Sequence, residues 1–179
     1  MKLKKFRFKK IKSTNDTAIR LIKSKKIKSG MVTAESQFKG RGQYGRTWFS
    51  SKGNLFVSFF HELSLPNLSI SMITKINCLL VKKLLSKYIR KKKIIFKKPN
   101  DLLIDKKKIS GILQETISFS NKVFLITGIG INIDKNPIIK NYPSTNLRDL
   151  TKKSITKVKV ENDLKQLYER YLVKIYKIG

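Results

Sequence analysis

The segment Gly40-Arg41-Gly42-Gln43-Tyr44-Gly45-Arg46 places three glycines and two arginines in seven residues, and the chain's single tryptophan, Trp48, closes it. Arginine forks grip phosphate or carboxylate with paired donors. Glycine lets a backbone approach a ligand closely or take left-handed angles. The stretch alone fits two readings, a mobile anion-binding loop and a basic surface turn. It is no Walker P-loop, because no Gly-Lys-Ser/Thr ends it. Gly128-Ile129-Gly130-Ile131-Asn132 is no dinucleotide fingerprint either: the third glycine is missing, and Pro137 stands where a helix should open. Its spacing suits close backbone packing beside a ligand. His61 is the only histidine. No nucleophile pattern surrounds it, and it reads as a satisfied histidine at a strand end.

The hydrophobic pattern supplies the elements that must hold these residues. Residues 3–11 alternate imperfectly around Leu3, Phe6, Phe8 and Ile11, which predicts a half-buried strand. Ser13 predicts an N-cap, with Asp16 placed as in a capping box. The helix it starts carries Ala18, Leu21 and Ile22 and runs to about Lys25. On this ground Ser13, Thr14 and Asn15 need no role beyond capping. Met31 to Gln37 predicts a strand entering the glycine stretch, and Leu55 to Phe60 a buried strand. A long core helix is predicted from Pro66 to about Ile89, with Leu68, Met72, Ile73, Ile76, Leu79, Leu80, Leu84 and Tyr88 on one stripe and Met72 and Tyr88 as core filler. Short strands at 94–97 and 102–104 flank Pro99-Asn100-Asp101, and Asp105-Lys106-Lys107 predicts a hairpin turn. Residues 109–117 and 123–133 read as paired strands. Residues 134–160 read as irregular, and 161–178 as a closing helix with Leu164, Leu167, Tyr168, Tyr171, Leu172 and Ile175 turned inward. The expected fold class is α+β, a mixed, largely antiparallel sheet backed by helices.

A length of 179 residues with 40% hydrophobic content suits one globular domain. One cysteine, Cys78, permits no internal disulfide, and one cysteine with one histidine excludes the common zinc sites. No apolar run is long enough to span a bilayer, and the basic N-terminus lacks the apolar stretch of a secretory signal. A cytoplasmic location without a membrane partner is expected. The net charge of +30, from 34 lysines and 7 arginines, has two explanations. One is a polyanionic partner such as nucleic acid. The other is compositional drift, since an A+T-rich coding sequence gives the same Lys/Ile/Asn bias. The lysines are scattered in short groups, which favours drift, with weak nonspecific polyanion binding as a by-product.

Three segments taken together narrow the function. Gly40 to Trp48, Lys97-Lys98-Pro99-Asn100-Asp101 and Lys108-Ile109-Ser110-Gly111-Ile112-Leu113-Gln114-Glu115 resemble, in order and spacing, motifs of the biotin protein ligase family. That family's loop reads Gly-Arg-Gly-Arg-Arg-Gly-Arg before a tryptophan; its other two motifs read Lys-Trp-Pro-Asn-Asp and Lys-Leu-Ala-Gly-Ile-Leu. Ser13-Thr14-Asn15 and Gly128 to Asn132 match its Ser-Thr-Asn and Gly-x-Gly-x-Asn. The resemblance covers roughly residues 6 to 150.

The resemblance implies a class II synthetase-like catalytic domain with ATP-dependent chemistry. Biotin's carboxylate attacks the α-phosphate of ATP, giving biotinyl-5′-AMP and pyrophosphate. A lysine of a biotin carboxyl carrier domain, as in acetyl-CoA carboxylase, then takes the biotin and releases AMP. Lys108, Arg41 and Arg46 carry over as catalytic cations. Ser13, Thr14, Asn15, Gln37, Gly40, Arg41, Gly42, Gln43, Lys108 and Gly111 carry over to the biotin side. Arg46, Trp48, Lys97, Asn100, Asp101 and Asn132 carry over to the nucleotide side, with Asp101 as a magnesium ligand beside phosphate oxygens. A lipoate or octanoate ligase of the same fold and a basic nucleic-acid-binding module are the alternatives.

Three residues depart from the family pattern. Gln43 stands in place of a loop arginine, which implies leakier retention of the adenylate, and Tyr44 in place of another, which implies less reliance on loop charge. Lys98 stands in place of the tryptophan before Pro99, which removes one wall of the pocket. The expected organisation is a single catalytic domain over residues 1–179, lacking the N-terminal winged helix and the small C-terminal β-barrel. The expected partner is an acidic carrier domain, with no specific nucleic acid. A homodimer through an exposed sheet edge is left open.

Overall fold

The computed structural model describes residues 2–63, 69–90, 92–139 and 142–176, the last four through their backbone. Its strands are β1 (Lys5–Ile11), β2 (Ser29–Gln37), β3 (Leu55–Glu62), β4 (Ile94–Lys97), β5 (Asp101–Ile104), β6 (Lys107–Phe119) and β7 (Lys122–Ile131). They form one sheet in the order β1-β2-β3-β7-β6-β5-β4. β1 pairs with β2 in parallel across the crossover helix α1 (Thr14–Lys25), and the other pairings are antiparallel. The expected mixed, largely antiparallel α+β architecture is what the chain adopts. Two hairpins close on paired left-handed residues, Asp105-Lys106 and Ser120-Asn121, the geometry that matches strand twist. The first is the turn expected at 105–107.

Strand alternation sorts the sheet into two faces. Leu55, Val57 and Phe59 of β3 and Leu125, Ile129 and Ile131 of β7 join the larger core with α2 (Ile70–Tyr88) and α4 (Lys157–Tyr176). There Phe59 stacks on Tyr168 with centroids 3.8 Å apart. The alternate positions, Phe60, Phe124 and Ile126, meet Ala18 and Ile22 of α1 in a second core. Each fully buried phenylalanine contributes about 1.5–3 kcal/mol. Along β7 the α1-facing series continues from Ile126 into Gly128 and Gly130, where it has no side chains to fill the layer. The apolar core stops there and a cavity begins.

The capping signals read from the sequence hold. Ser13 is extended, and its hydroxyl accepts from the Asp16 N–H, while Lys26 closes α1 in the left-handed region. His61 is buried near the end of β3, with Nδ1 2.9 Å from the Glu62 carbonyl oxygen. Burial lowers its pKa below the usual histidine value.

The helix assignments need correction in three places. α2 is capped by Ser69, whose hydroxyl accepts from the Met72 N–H; Pro66 and Leu68 lie outside the described residues. Met72 and Leu79 are 51% and 49% exposed, so Met72 is not core filler: α2 buries only its sheet-facing stripe. Residues 134–160 are not wholly irregular, because α3 (Leu147–Thr151) starts at an Asn146 cap and α4 begins at Lys157, four residues ahead of Glu161. The Ile178 end of that helix and the Ile175 side chain lie outside the described residues. Among the described residues no helix is long and apolar enough to cross a membrane.

Asn54 ties the loop after β7 to the sheet. Its fully buried Oδ1 accepts from the N–H groups of Ile133, Asp134 and Lys135 at 3.0–3.1 Å, and its Nδ2 donates to the Lys135 carbonyl at 2.7 Å. Asn54→Ala strands these groups, and a loss of about 3 kcal/mol is expected in urea unfolding.

Candidate active site

The cavity over the β6–β7 glycines has a volume of about 770 Å³, within the range of small-molecule sites. Ser13, Thr14, Asn15, Gln37, Arg41, Gly42, Gln43, Arg46, Trp48, Lys97, Asn100, Asp101, Lys108 and Gly111 line it together. Of the residues singled out from the sequence, Gly40 and Asn132 stand behind its wall. At Gly40 an added Cβ would meet the Trp48 carbonyl oxygen at 2.5 Å, which explains the glycine. Asn132 is buried and donates to the Thr145 carbonyl at 3.1 Å, with the Lys108 carbonyl at 3.4 Å. It supports the Lys108 backbone rather than facing the cavity.

The glycine stretch is a small folded hairpin. Arg41 and Thr47 bridge, the Gly42 N–H donates to the Arg46 carbonyl at 2.6 Å, and the Trp48 N–H donates to the Gly40 carbonyl at 2.9 Å. Tyr44 and Gly45 turn its tip with φ of 55° and 71°, and only the glycine takes that conformation without cost.

The hairpin is pinned by its first arginine. Arg41 Nη1 and Nη2 sit 2.8 Å from the two Glu115 oxygens, and Nη2 is 2.7 Å from Asp16 Oδ1. Burial pulls the Arg41 pKa down, but the two carboxylates more than offset it and the net shift is upward. Arg41 is therefore a permanently charged latch between the loop, β6 and α1.

The polar end of the cavity is built by α1 and β2. The Thr14 N–H and hydroxyl both donate to Gln37 Oε1, at 2.7 and 3.1 Å, and Gln37 Nε2 donates to Ser50 Oγ at 3.0 Å. Asn15 Nδ2 donates to Glu115 at 2.7 Å, and its Oδ1 accepts from Ser58 Oγ at 2.5 Å. These side chains fix one another's orientation, so donors and acceptors are set before a ligand arrives.

The floor is glycine because Trp48 lies on it. A Cβ at Gly111 would meet the Trp48 ring at 2.7 Å, and one at Gly130 would overlap the same ring. Strand register sets Gly111 opposite Gly130, so two neighbouring strands are bare under the indole.

Lys108 and Asp101 line the cavity beside the indole. Lys108 Nζ is 2.8 Å from Asp101 Oδ1, at ion-pair distance but outside hydrogen-bond angle, and Asp101 Oδ2 accepts from the Tyr142 hydroxyl. Asn100 Nδ2 is turned inward, donating to the Ile112 carbonyl at 2.6 Å. It braces the β5–β6 corner after the cis Lys98–Pro99 peptide.

Among the described residues five cations, Arg41, Arg46, Lys97, Lys98 and Lys108, line the cavity against one carboxylate, Asp101. That imbalance suits an anionic ligand. Among the described residues Arg41 Nε, Gln43 Oε1 and Trp48 Nε1 are buried without a hydrogen-bond partner, which a polar ligand remedies. For magnesium the fit is limited: both Asp101 oxygens are engaged by protein groups, and among the described residues no cluster of three Asp, Glu, His or Cys side chains could hold a metal. A divalent ion here would need most of its oxygen ligands from a bound molecule.

Sequence reasoning missed Tyr142, Glu115 and Asp16 as site residues. The sequence marks Asp16 only as a cap, although in Ser13-Thr14-Asn15-Asp16 it follows directly on a matched motif. Glu115 closes the third family-like segment, with no role of its own assigned. Tyr142 carried no signal, since its partner Asp101 is 41 residues away.

Comparison with known proteins agrees with this geometry. Residues 7–134 match the model of the biotin/lipoate A/B protein ligase family. The chain is 32% identical over 129 residues to the bifunctional ligase/repressor BirA of Bacillus subtilis, covering 71% of this chain and 39% of that protein. It is 36% identical over 111 residues to the BirA of Escherichia coli, covering 60% and 34%. The chain thus spans well under half the length of these relatives. The fold superposes on a biotin protein ligase from Aquifex aeolicus in complex with biotin and ATP with a TM-score of 0.80 at 27% identity, covering 98% of this chain and 73% of that one. The chain belongs to the biotin/lipoate A/B protein ligase family.

Proposed function

We propose that this chain is an ATP-dependent biotin protein ligase. It joins the biotin carboxylate to AMP and passes the acyl group to a lysine of an acidic biotin carrier domain, with that of acetyl-CoA carboxylase as the first candidate. One observation carries the reading: segments 13–15, 37–48, 97–101, 108–113 and 128–130, scattered through the chain, converge on one cavity. The Aquifex aeolicus ligase of the same fold, whose structure holds biotin and ATP, supports it.

In this reading the Thr14–Gln37–Asn15 end takes the ureido ring of biotin. A buried ureido group needs matched donors and acceptors, and these residues are held in place by their mutual bonds. The carboxylate and the α-phosphate meet beside Lys108. Two anions approach there, and the ammonium offsets their repulsion and the charge that builds on phosphorus. The carboxylate oxygen forms the new P–O bond as the bond to pyrophosphate breaks. Arg46 and Lys97, both exposed at the rim, face the polyphosphate, and Trp48 walls the adenine. Arg41 acts by latching the hairpin, which keeps water from the anhydride. In the second step the carrier lysine attacks the acyl carbon and AMP leaves. The protein's large positive charge favours encounter with an acidic carrier.

Biotin-dependent exchange of labelled pyrophosphate into ATP tests the first step, and its absence in folded protein contradicts the reading. Competition by lipoate or octanoate at equal concentration should be negligible. Gln43, whose Oε1 is buried without a hydrogen-bond partner among the described residues, tunes retention. Gln43→Arg adds a cation facing the phosphate, and release of biotinyl-AMP, followed by stopped flow, should slow about tenfold.

A further inference from the structure

We propose that Tyr142 is a positioning residue of this site, holding the Lys108–Asp101 pair in its working arrangement and adding a second aromatic ring beside the Lys108 ammonium. The inference rests on the ligase reading for its catalytic consequence but not for its geometry.

The segment carrying Tyr142 is bonded to the backbone of Lys108 on both sides. The Lys108 N–H donates to the Pro143 carbonyl at 2.9 Å, and the Thr145 N–H donates to the Lys108 carbonyl at 2.9 Å. A parallel bridge joins Lys108 to Ser144. Any shift of residues 143–145 therefore moves Lys108. The Tyr142 side chain then reaches back over the site. Its hydroxyl donates to Asp101 Oδ2, and its ring centroid lies 5.1 Å from Lys97 Nζ and 5.3 Å from Lys108 Nζ. The Trp48 ring lies 5.1 Å from the same Lys108 Nζ. The ammonium is bracketed by two rings and one carboxylate, which leaves it few alternative rotamers, and each ring face favours a cation.

The hydroxyl has a specific use. An arriving anion draws Lys108 away from Asp101, and a buried carboxylate that loses its only partner is costly. Tyr142 keeps one Asp101 oxygen bonded throughout, so Lys108 can turn to the ligand without stranding its counter-ion. Burial, then the bond to Asp101 and its charge, push the Tyr142 phenol up to about 12 against the opposing charge of Arg46.

Two variants separate hydroxyl from ring. In Tyr142→Phe, kcat for biotinyl-AMP formation should fall about tenfold with the KM for biotin within about twofold. Tyr142→Leu should in addition raise the KM for ATP about fivefold. A readout independent of activity is the NMR signal of 13C-methylated Lys108 in ligand-free protein, assigned by its loss in Lys108→Arg. It should move in Tyr142→Phe. An unmoved Lys108 signal overturns the proposal, as does a uniform rise in both KM values with kcat unchanged, which marks packing alone. If the wild-type protein forms no adenylate, the ligase reading fails by itself, and the Lys108 signal still decides for or against Tyr142.

Discussion

Lys108→Ala should reduce biotinyl-AMP formation by roughly two to three orders of magnitude, the range seen when a preorganised electrostatic contact to a transition state is removed. Lys108 is suited to that role by its surroundings. It is the cation that the structure holds between Trp48, Tyr142 and Asp101. Arg41 cannot replace it, because its fork is already engaged by Glu115 and Asp16. Arg46 and Lys97 are solvated at the rim, where screening weakens a charge. The variant also leaves Asp101, 7% exposed, with Tyr142 as its remaining partner, and a loss of about 2 kcal/mol in stability is expected. Rapid-quench detection of the adenylate, together with urea unfolding, separates the two effects. A rate within threefold of wild type in folded protein contradicts the placement of Lys108.

Gly111→Val should be as damaging to activity while leaving the fold in place. Gly111 lies inside β6, paired with Asp101 of β5 and Gly130 of β7, and valine is a strong strand former. Its Cβ would nonetheless sit 2.7 Å from the Trp48 ring and 2.9 Å from Lys108 Cε. The lysine end can swing aside; the indole cannot move without shifting the hairpin on which it sits. The variant therefore displaces Trp48 and Lys108 together, and misplacing two groups at the reacting centre costs at least about 100-fold. Adenylate formation should be lost, along with the change in Trp48 fluorescence on adding ATP, while circular dichroism stays near wild type and the loss in stability stays within the about 2 kcal/mol expected for Lys108→Ala. Retained activity would mean that the glycine serves the fold rather than the site.

Much of the frame is legible in the sequence because its signals are local. Ser13 with Asp16 announces α1, and the Asp105-Lys106 turn announces the β5–β6 hairpin. The alternation of β7 even shows, at Gly128 and Gly130, where the core layer ends. The short helix α3 was also within reach: Asn146 with Asp149 repeats the capping pattern of Ser13 with Asp16. Other features depend on what lies across the fold. The stripe on α2 is broader than the face it buries, and composition could not show that Met72 and Leu79 fall outside it. The Arg41 latch joins residues 74 positions apart, and the Tyr142 hydroxyl reaches Asp101 from a segment that reads as irregular. Such partners are set by strand order, which no single stretch encodes. The motif residues of the site could therefore be found from the chain, while the residues that position them could not.

The most direct test of the central claim is a single-turnover experiment on the purified protein. With biotin and Mg–ATP alone, biotinyl-AMP should accumulate to the concentration of active sites with one pyrophosphate released per adenylate. Adding an acidic biotin carrier domain should then move the biotin to a single carrier lysine and release AMP. Folded protein that forms no biotinyl-AMP, or a carrier that acquires no biotin from preformed adenylate, would contradict the account.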